Sequence, residues 1–188
     1  MWTSQGREMK ARVVALTIAI AVAANGAVSA QETAGSASLL LPTTIVLVDS
    51  TGKIAARALN ETIMLVTLGN GVVAPASIRP AYDPGGRAVS GLAMWQSGGG
   101  VLFASSDCSL DGYVYSLPQA GVRAAAQVQT PLGIVLYVGA IGTANTVIVR
   151  SILYDTGCAQ VTVKQDGLHP VVATLNLTAA YPAPLSLQ

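Results

Sequence analysis

Short apolar stretches recur about every ten residues along most of this chain, each cut off by a cluster of Gly, Asn, Asp, Ser or Pro. Leu39-Leu40-Leu41-Pro42 opens the ordered part, and Thr43 to Val48 is β-branched and apolar. It stops at Asp49-Ser50-Thr51-Gly52, and Lys53 to Leu59 resumes with Lys53, Ala55 and Arg57 alternating against Ile54, Ala56 and Ala58. That pattern predicts a β-hairpin. A second follows from Thr62 to Leu68, turning at Gly69-Asn70-Gly71 into Val72 to Ala74, where Pro75 should break it. Ile78 to Arg87 holds Pro80, Pro84, Gly85 and Gly86 and reads as a loop unfit for a sheet centre. Gly91 to Gln96 resumes strand character, and Ser97-Gly98-Gly99-Gly100 is the most permissive backbone in the chain.

Val101 to Tyr115 reads as two strands joined by a polar turn that carries Cys108. Ala120 to Gln127 has the residue types of a short helix, yet Gly121 and the brief length argue against a stable one. Gly133 to Val138 is an apolar run, Ile141 to Asn145 a turn, and Thr146 to Tyr154 the longest strand candidate. After Asp155-Thr156-Gly157, the segment Cys158 to Lys164 alternates, Gln165-Asp166-Gly167 turns, and Pro170 to Leu177 makes a last strand. Pro182 and Pro184 should leave residues 182–188 an irregular tail.

No stretch sustains a 3.6-residue period, so the expected fold is an all-β domain of antiparallel hairpins over residues 39–181. A two-sheet β-sandwich is the first architecture and a partly open β-barrel the alternative. Ile63 to Val66 and Ile134 to Val138 are apolar on both faces, as in strands that are buried twice or cover an interface. Only 10% of the chain is charged, so few residues guard strand edges and self-association becomes a candidate property.

The first thirty residues change the picture. Arg7, Lys10 and Arg12 precede a predominantly apolar run from Val13 to Ala24, and Val28-Ser29-Ala30 places small residues before a cleavage point. This is the pattern of a secretory signal peptide, 1–30, with an uncleaved anchor as the competing reading. No cysteine follows the run, which argues against a lipoprotein anchor. Residues 31–38 form a small, polar leader. Removing Arg7, Lys10, Arg12 and Glu8 turns the formal net charge from +1 to −1. A chain without basic excess has no electrostatic case for nucleic acid or a membrane surface, and no stable membrane span is expected once the apolar run is cleaved off.

Export to the periplasm or beyond means an oxidising environment, and Cys108 and Cys158 are the only cysteines. Their bridge would close a loop across 50 positions, worth roughly 3–4 kcal/mol in the chain-entropy model. Two free thiols or a bridge between chains are the alternatives. Two cysteines and the single His169 do not make a zinc site, and no cofactor is implied.

Candidate chemistry is sparse. Asp155-Thr156-Gly157 imitates the aspartic-protease signature, but 31 residues after Gly157 leave no room for the rest of such a half, and the same residues make an ordinary turn. His169 precedes Pro170 in a predicted turn without nucleophile motifs around it and reads as a solvated side chain. Asp107, Asp111 and Asp155 would approach one another if the disulfide forms, as a calcium site or a glycosidase pair requires; the plainer reading is solvated turn residues. Tyr113, Tyr115, Tyr137, Tyr154 and Trp95 make up most of the large aromatic surface; Tyr113 and Tyr115 share a strand face, and with Trp95 they are ligand-contact candidates for stacking on sugar rings if exposed, and core if buried. Asn60-Glu61-Thr62 and Asn176-Leu177-Thr178 match the glycosylation acceptor pattern, incidental in a bacterial-type exported chain.

Val46-Leu47-Val48-Asp49-Ser50-Thr51-Gly52-Lys53, the run from Val101 to Val114, and the late Cys158 together resemble a group of exported bacterial β-rich proteins of unassigned function. In that group a hairpin strand meets a Cys and, shortly after it, a Gly–aromatic pair, here Gly112-Tyr113. The resemblance covers about a third of the chain; it implies export and a β-rich fold and carries no activity. The expected function is therefore a secreted binding or assembly module without catalysis. The runner-up is a carbohydrate-binding or glycoside-hydrolysing domain using Trp95, Tyr113 or Tyr115 with Asp107 and Asp111.

Overall fold

The structure, a computed structural model, describes residues 44–115 and 122–188. The expected signal peptide, its cleavage after Ala30, the leader and the Leu39–Pro42 opening lie outside the described residues. The all-β expectation holds, with antiparallel strands in two sheets. The first is a closed six-stranded barrel in the order β1, β12, β5, β4, β3, β2. Its strands are β1 (Val46–Val48), β2 (Ile54–Ala58), β3 (Ile63–Thr67), β4 (Val73–Tyr82), β5 (Ala88–Trp95) and β12 (Leu185–Leu187). The two N-terminal hairpins form as their turns predict: the Asp49 carboxylate caps one by accepting from the Thr51 and Lys53 amides at 2.9 and 3.0 Å.

Three expectations are overturned here. Ile78 to Arg87 is not a loop: β4 runs through Pro75 and Pro80, and only residues 83–87 turn, tied by the Asp83 carboxylate to the Arg87 amide. Hydrogen-bond parity explains how the prolines are tolerated. Val72 and Ile78 bond towards β3, whereas Ser77 bonds towards β5. Pro75 therefore turns its missing N–H to the β5 side, beyond the end of β5 at Trp95, and Pro80 turns its own to the β3 side, beyond the start of β3 at Ile63. Residues 182–188 are not irregular either, because Leu185–Leu187 inserts between β1 and β5 and closes the barrel.

The third correction concerns the second sheet, ordered β10, β6, β7, β11, β9, β8, with β10 also pairing β11. It comprises β6 (Val101–Phe103), β7 (Gly112–Tyr115), β8 (Ala125–Thr130), β9 (Gly133–Gly139), β10 (Asn145–Tyr154) and β11 (Gly157–Asn176). Gln165-Asp166-Gly167 is not a turn between strands but an irregularity inside the twenty-residue β11. Register slips there, three residues of β11 spanning two of β10, and Gly167 takes a φ of +79° that a side-chain-bearing residue rarely adopts. β11 thereby bends, pairing β10 with its first half, β7 at Leu168–Pro170 and β9 with its last part. Ala125–Thr130 is strand, in line with the argument against a helix; the preceding Ala120 and Gly121 lie outside the described residues.

Inward positions alternate as strands demand. Met64 and Val66 face Ala76 and Ala74 across β3–β4, and Ile78 faces Trp95 across β4–β5. The barrel core mixes small alanines with Leu47, Met64, Trp95 and Leu185, and extends to Leu136 and Val138 of β9. The short α1 (Leu177–Ala180), capped by the Asn176 side-chain oxygen Oδ1 accepting from the Ala179 amide, delivers Tyr181 into that core. A second cluster, Val101, Phe103, Val114, Ala124, Ala126 and Val128, fills the other sheet.

Candidate functional site

The most strongly determined irregular segment is the loop from Ala104 to Asp111 between β6 and β7. Cys108 and Cys158 are bonded, with Cα atoms 5.9 Å apart, as the two converging strand ends predict. Leu153 pairs with Cys158 on the β10–β11 hairpin, so the bridge ties the loop to that ribbon. Ser151, fully buried on β10, adds a second tie: its hydroxyl accepts from the Cys108 amide at 2.9 Å and donates to the Ser105 carbonyl at 2.7 Å. Ser105 in turn accepts from the Ser109 amide and donates to the Ser109 carbonyl, 3.1 and 2.6 Å. Asp107 accepts from the Ser109 hydroxyl at 2.6 Å.

Within these ties Cys108 and Leu110 hold φ of +54° and +67°, the two non-glycine residues in the left-handed region among the described residues. Such conformations persist only where the surroundings over-determine them. Leu110 is 86% exposed, so the strained backbone carries an apolar side chain straight into water. Ser151→Ala should cost about 1–3 kcal/mol in urea unfolding, because it leaves the Cys108 amide and the Ser105 carbonyl without their partner.

The carboxylates do not assemble. Asp107 faces its own loop, Asp111 is exposed, and Asp155 in the two-residue β10–β11 turn accepts from the Gln129 amide at 2.7 Å. Among the described residues no group of three or more His, Cys, Asp or Glu side chains is placed to hold a metal ion. The Ser109 hydroxyl, donating to it, holds the Asp107 carboxyl below its ordinary range, the opposite of what a general acid needs. Asp49 is lowered likewise, by the Thr51 hydroxyl first and the Lys53 and Thr51 amides after it. A depressed folded pKa stabilises above the unfolded value and is lost as pH falls through the folded one. The stability gap between wild type and Asp107→Asn should thus hold at neutral pH and close only below about pH 4, followed as urea midpoints across the acid range.

The aromatic candidates separate. Trp95 is buried in the barrel, its indole N–H donating to the Tyr181 carbonyl at 3.3 Å, and is not a surface platform. Tyr113 is half-buried and Tyr115 half-exposed at the end of β7. Tyr154 packs beside Gly100, and burial raises the Tyr137 hydroxyl pKa. His169 is not in a solvated turn: it lies within β11 opposite Val114, half-buried, with Nδ1 buried and without a hydrogen-bond partner.

One residue outside the sequence-based candidates joins the two sheets. Gln127 on β8 is buried; its amide oxygen accepts from the Ser77 N–H and its amide nitrogen donates to the Ser77 carbonyl at 3.2 Å. Its backbone also exchanges hydrogen bonds with Gly98, 2.8 and 3.3 Å. The side chain thus continues the ladder where β5 ends. Its only sequence signal was a polar residue between Ala126 and Val128 on a strand.

Two concavities flank these elements. A cleft of about 280 Å³ lies between barrel and second sheet, with Pro75, Gly99, Tyr115 and Arg123 on its walls. A notch of about 490 Å³ opens in the barrel rim, beyond the start of β3, where the β4–β5 hairpin runs on. No helix of the described residues is long and apolar enough to cross a membrane. Compared with known proteins, the chain matches no family model, no curated protein and no solved structure.

Proposed function

We propose that this chain is an exported, single-domain module, periplasmic or secreted, that binds or assembles through loops displayed on its β framework and does not catalyse. The observation that carries the reading is the β6–β7 loop, fastened by the disulfide and by Ser151 while its tip presents Leu110 to water. A fastened loop loses little conformational entropy on meeting a partner, which is what a display element requires. The N-terminal pattern of basic residues, apolar run and small-residue cleavage point supports export, as does the resemblance to exported bacterial β-rich proteins.

The test is mass spectrometry, without reductant, of the protein recovered outside the cytoplasm. The reading expects a chain beginning at Gln31 and lighter by two hydrogens; an intact precursor with free thiols overturns it. The carbohydrate reading keeps Tyr115, which is half-exposed on the wall of the cleft, and loses Trp95 to the core. A glycan array decides it: a signal that vanishes in Tyr115→Ala favours a sugar ligand over a protein one.

A further inference from the structure

We infer that the Leu110–Asp111 tip of one copy seats in the barrel-rim notch of a second copy, so that the chain assembles head to tail. This rests on the binding-or-assembly reading and names its partner and contact. Leu110 is the most exposed large apolar side chain among the described residues, and its left-handed backbone aims it outward on a loop that cannot collapse over it. A fold that needed only a turn there would be served by Gly or Asn.

The notch has matching chemistry. Ile78, Pro80, Ala93 and Leu187 supply apolar walls, and Arg79 and Glu61 are its charged residues. Leu187 follows Leu185 by two positions on β12, and Ile78 and Ala93 are core residues, so the notch borders the barrel core. Its volume accommodates a leucine side chain with room for the loop beneath it. Seating Leu110 there brings the exposed Asp111 carboxylate towards Arg79, while Glu61 can accept a backbone N–H of the incoming loop.

Strand addition, the other way β proteins associate, is hindered along most edges of this molecule, β10 being the exception because β6 pairs it only at Ser151–Leu153. The barrel closes on itself, leaving unpaired strand only where the β4–β5 hairpin runs past its neighbours. The outer edge of β8 is occupied at Gln127 by Gly98 and at Gln129 by Asp155. β11 is broken by two register slips, between Gln160 and Val163 and between Gln165 and Leu168, and bulged edges pair poorly. Insertion of a side chain into a notch does not depend on a free edge. Tip and notch are different patches on different sheets, so the contact is heterologous and propagates instead of closing a dimer.

Sedimentation velocity on the oxidised chain beginning at Gln31, up to about 200 µM to reach weak affinities, tests this. The wild type should grow in mass with concentration, and Leu110→Ser and Arg79→Glu should each remain monomeric with unchanged urea midpoints. Mixing those two variants should give dimers and nothing larger, since one retains the notch and the other the tip. A wild type that stays monomeric overturns the inference, including the case in which the chain's own residues 31–43 fill the notch. Association that persists in Leu110→Ser and Arg79→Glu overturns the tip-to-notch contact while leaving the assembly reading intact. Failure of export or of disulfide formation, read by mass, would remove the assembly reading itself.

Discussion

Replacing Cys108 and Cys158 together by alanine should lower the free energy of unfolding by roughly 3–4 kcal/mol and the melting temperature by about 10 °C. The bridge joins positions 50 apart, so cutting it restores a large set of open conformations to the unfolded chain. In the folded state the cut also loosens Cys108 at its φ of +54°, since only hydrogen bonds, those of Ser151, Ser105 and Asp107, then hold that turn. Two controls separate these contributions. Wild type unfolded in reductant should match the double alanine variant, and adding Ser151→Ala to that variant should cost less than it costs the oxidised protein, because the loop is already loose. A loss below about 1 kcal/mol would mean that the hydrogen bonds of Ser151 and Ser105 position the loop unaided.

Local chemistry made the hairpins legible. Asp49-Ser50-Thr51-Gly52, Gly69-Asn70-Gly71 and Asp155-Thr156-Gly157 each turn where short polar residues and glycine offer the backbone an alternative to the ladder. The cysteine pairing followed from counting two cysteines at two strand ends. Elements that depend on distant partners were not legible. Leu185-Ser186-Leu187 is three residues after two prolines and becomes a strand only because β1 and β5 leave a gap of one strand between them. Pro75 and Pro80 looked like breakers because the direction in which each missing N–H points depends on where β3 and β5 end. Gln165-Asp166-Gly167 has turn composition, yet β10 on one side and β7 just beyond keep it within β11. Trp95 is core because Tyr181, 86 positions further along the chain, meets it at 6.4 Å between ring centres, a contact its own neighbours in sequence do not signal.

Gln127 is the clearest case of chemistry hidden in this way, and its substitution should have the second large effect. Gln127→Leu keeps the bulk but strands the Ser77 N–H, for which the Gln127 amide oxygen is the acceptor; the Ser77 carbonyl still receives the Gln96 amide at 3.0 Å. One partly buried donor left unpaired, together with a lost tie between the sheets, should cost about 1–3 kcal/mol in urea unfolding. Gln127→Glu tests the same geometry with a sign. An ionised glutamate still accepts from the Ser77 N–H, but its second oxygen faces the Ser77 carbonyl and its charge is buried. Both effects favour the protonated acid, which donates to that carbonyl as glutamine does, so the folded pKa rises above the unfolded value. The contribution of the acid form is then complete below the unfolded pKa and lost as pH rises through the folded one. The deficit of Gln127→Glu relative to wild type should therefore be smaller at about pH 4 than at about pH 8, whereas that of Gln127→Leu should be flat across the range. A glutamate variant with the same deficit at both pH values would show that the side chain does not face Ser77 as a paired donor and acceptor, and the hydrogen bonds of Gln127 would then be limited to its backbone pairing with Gly98.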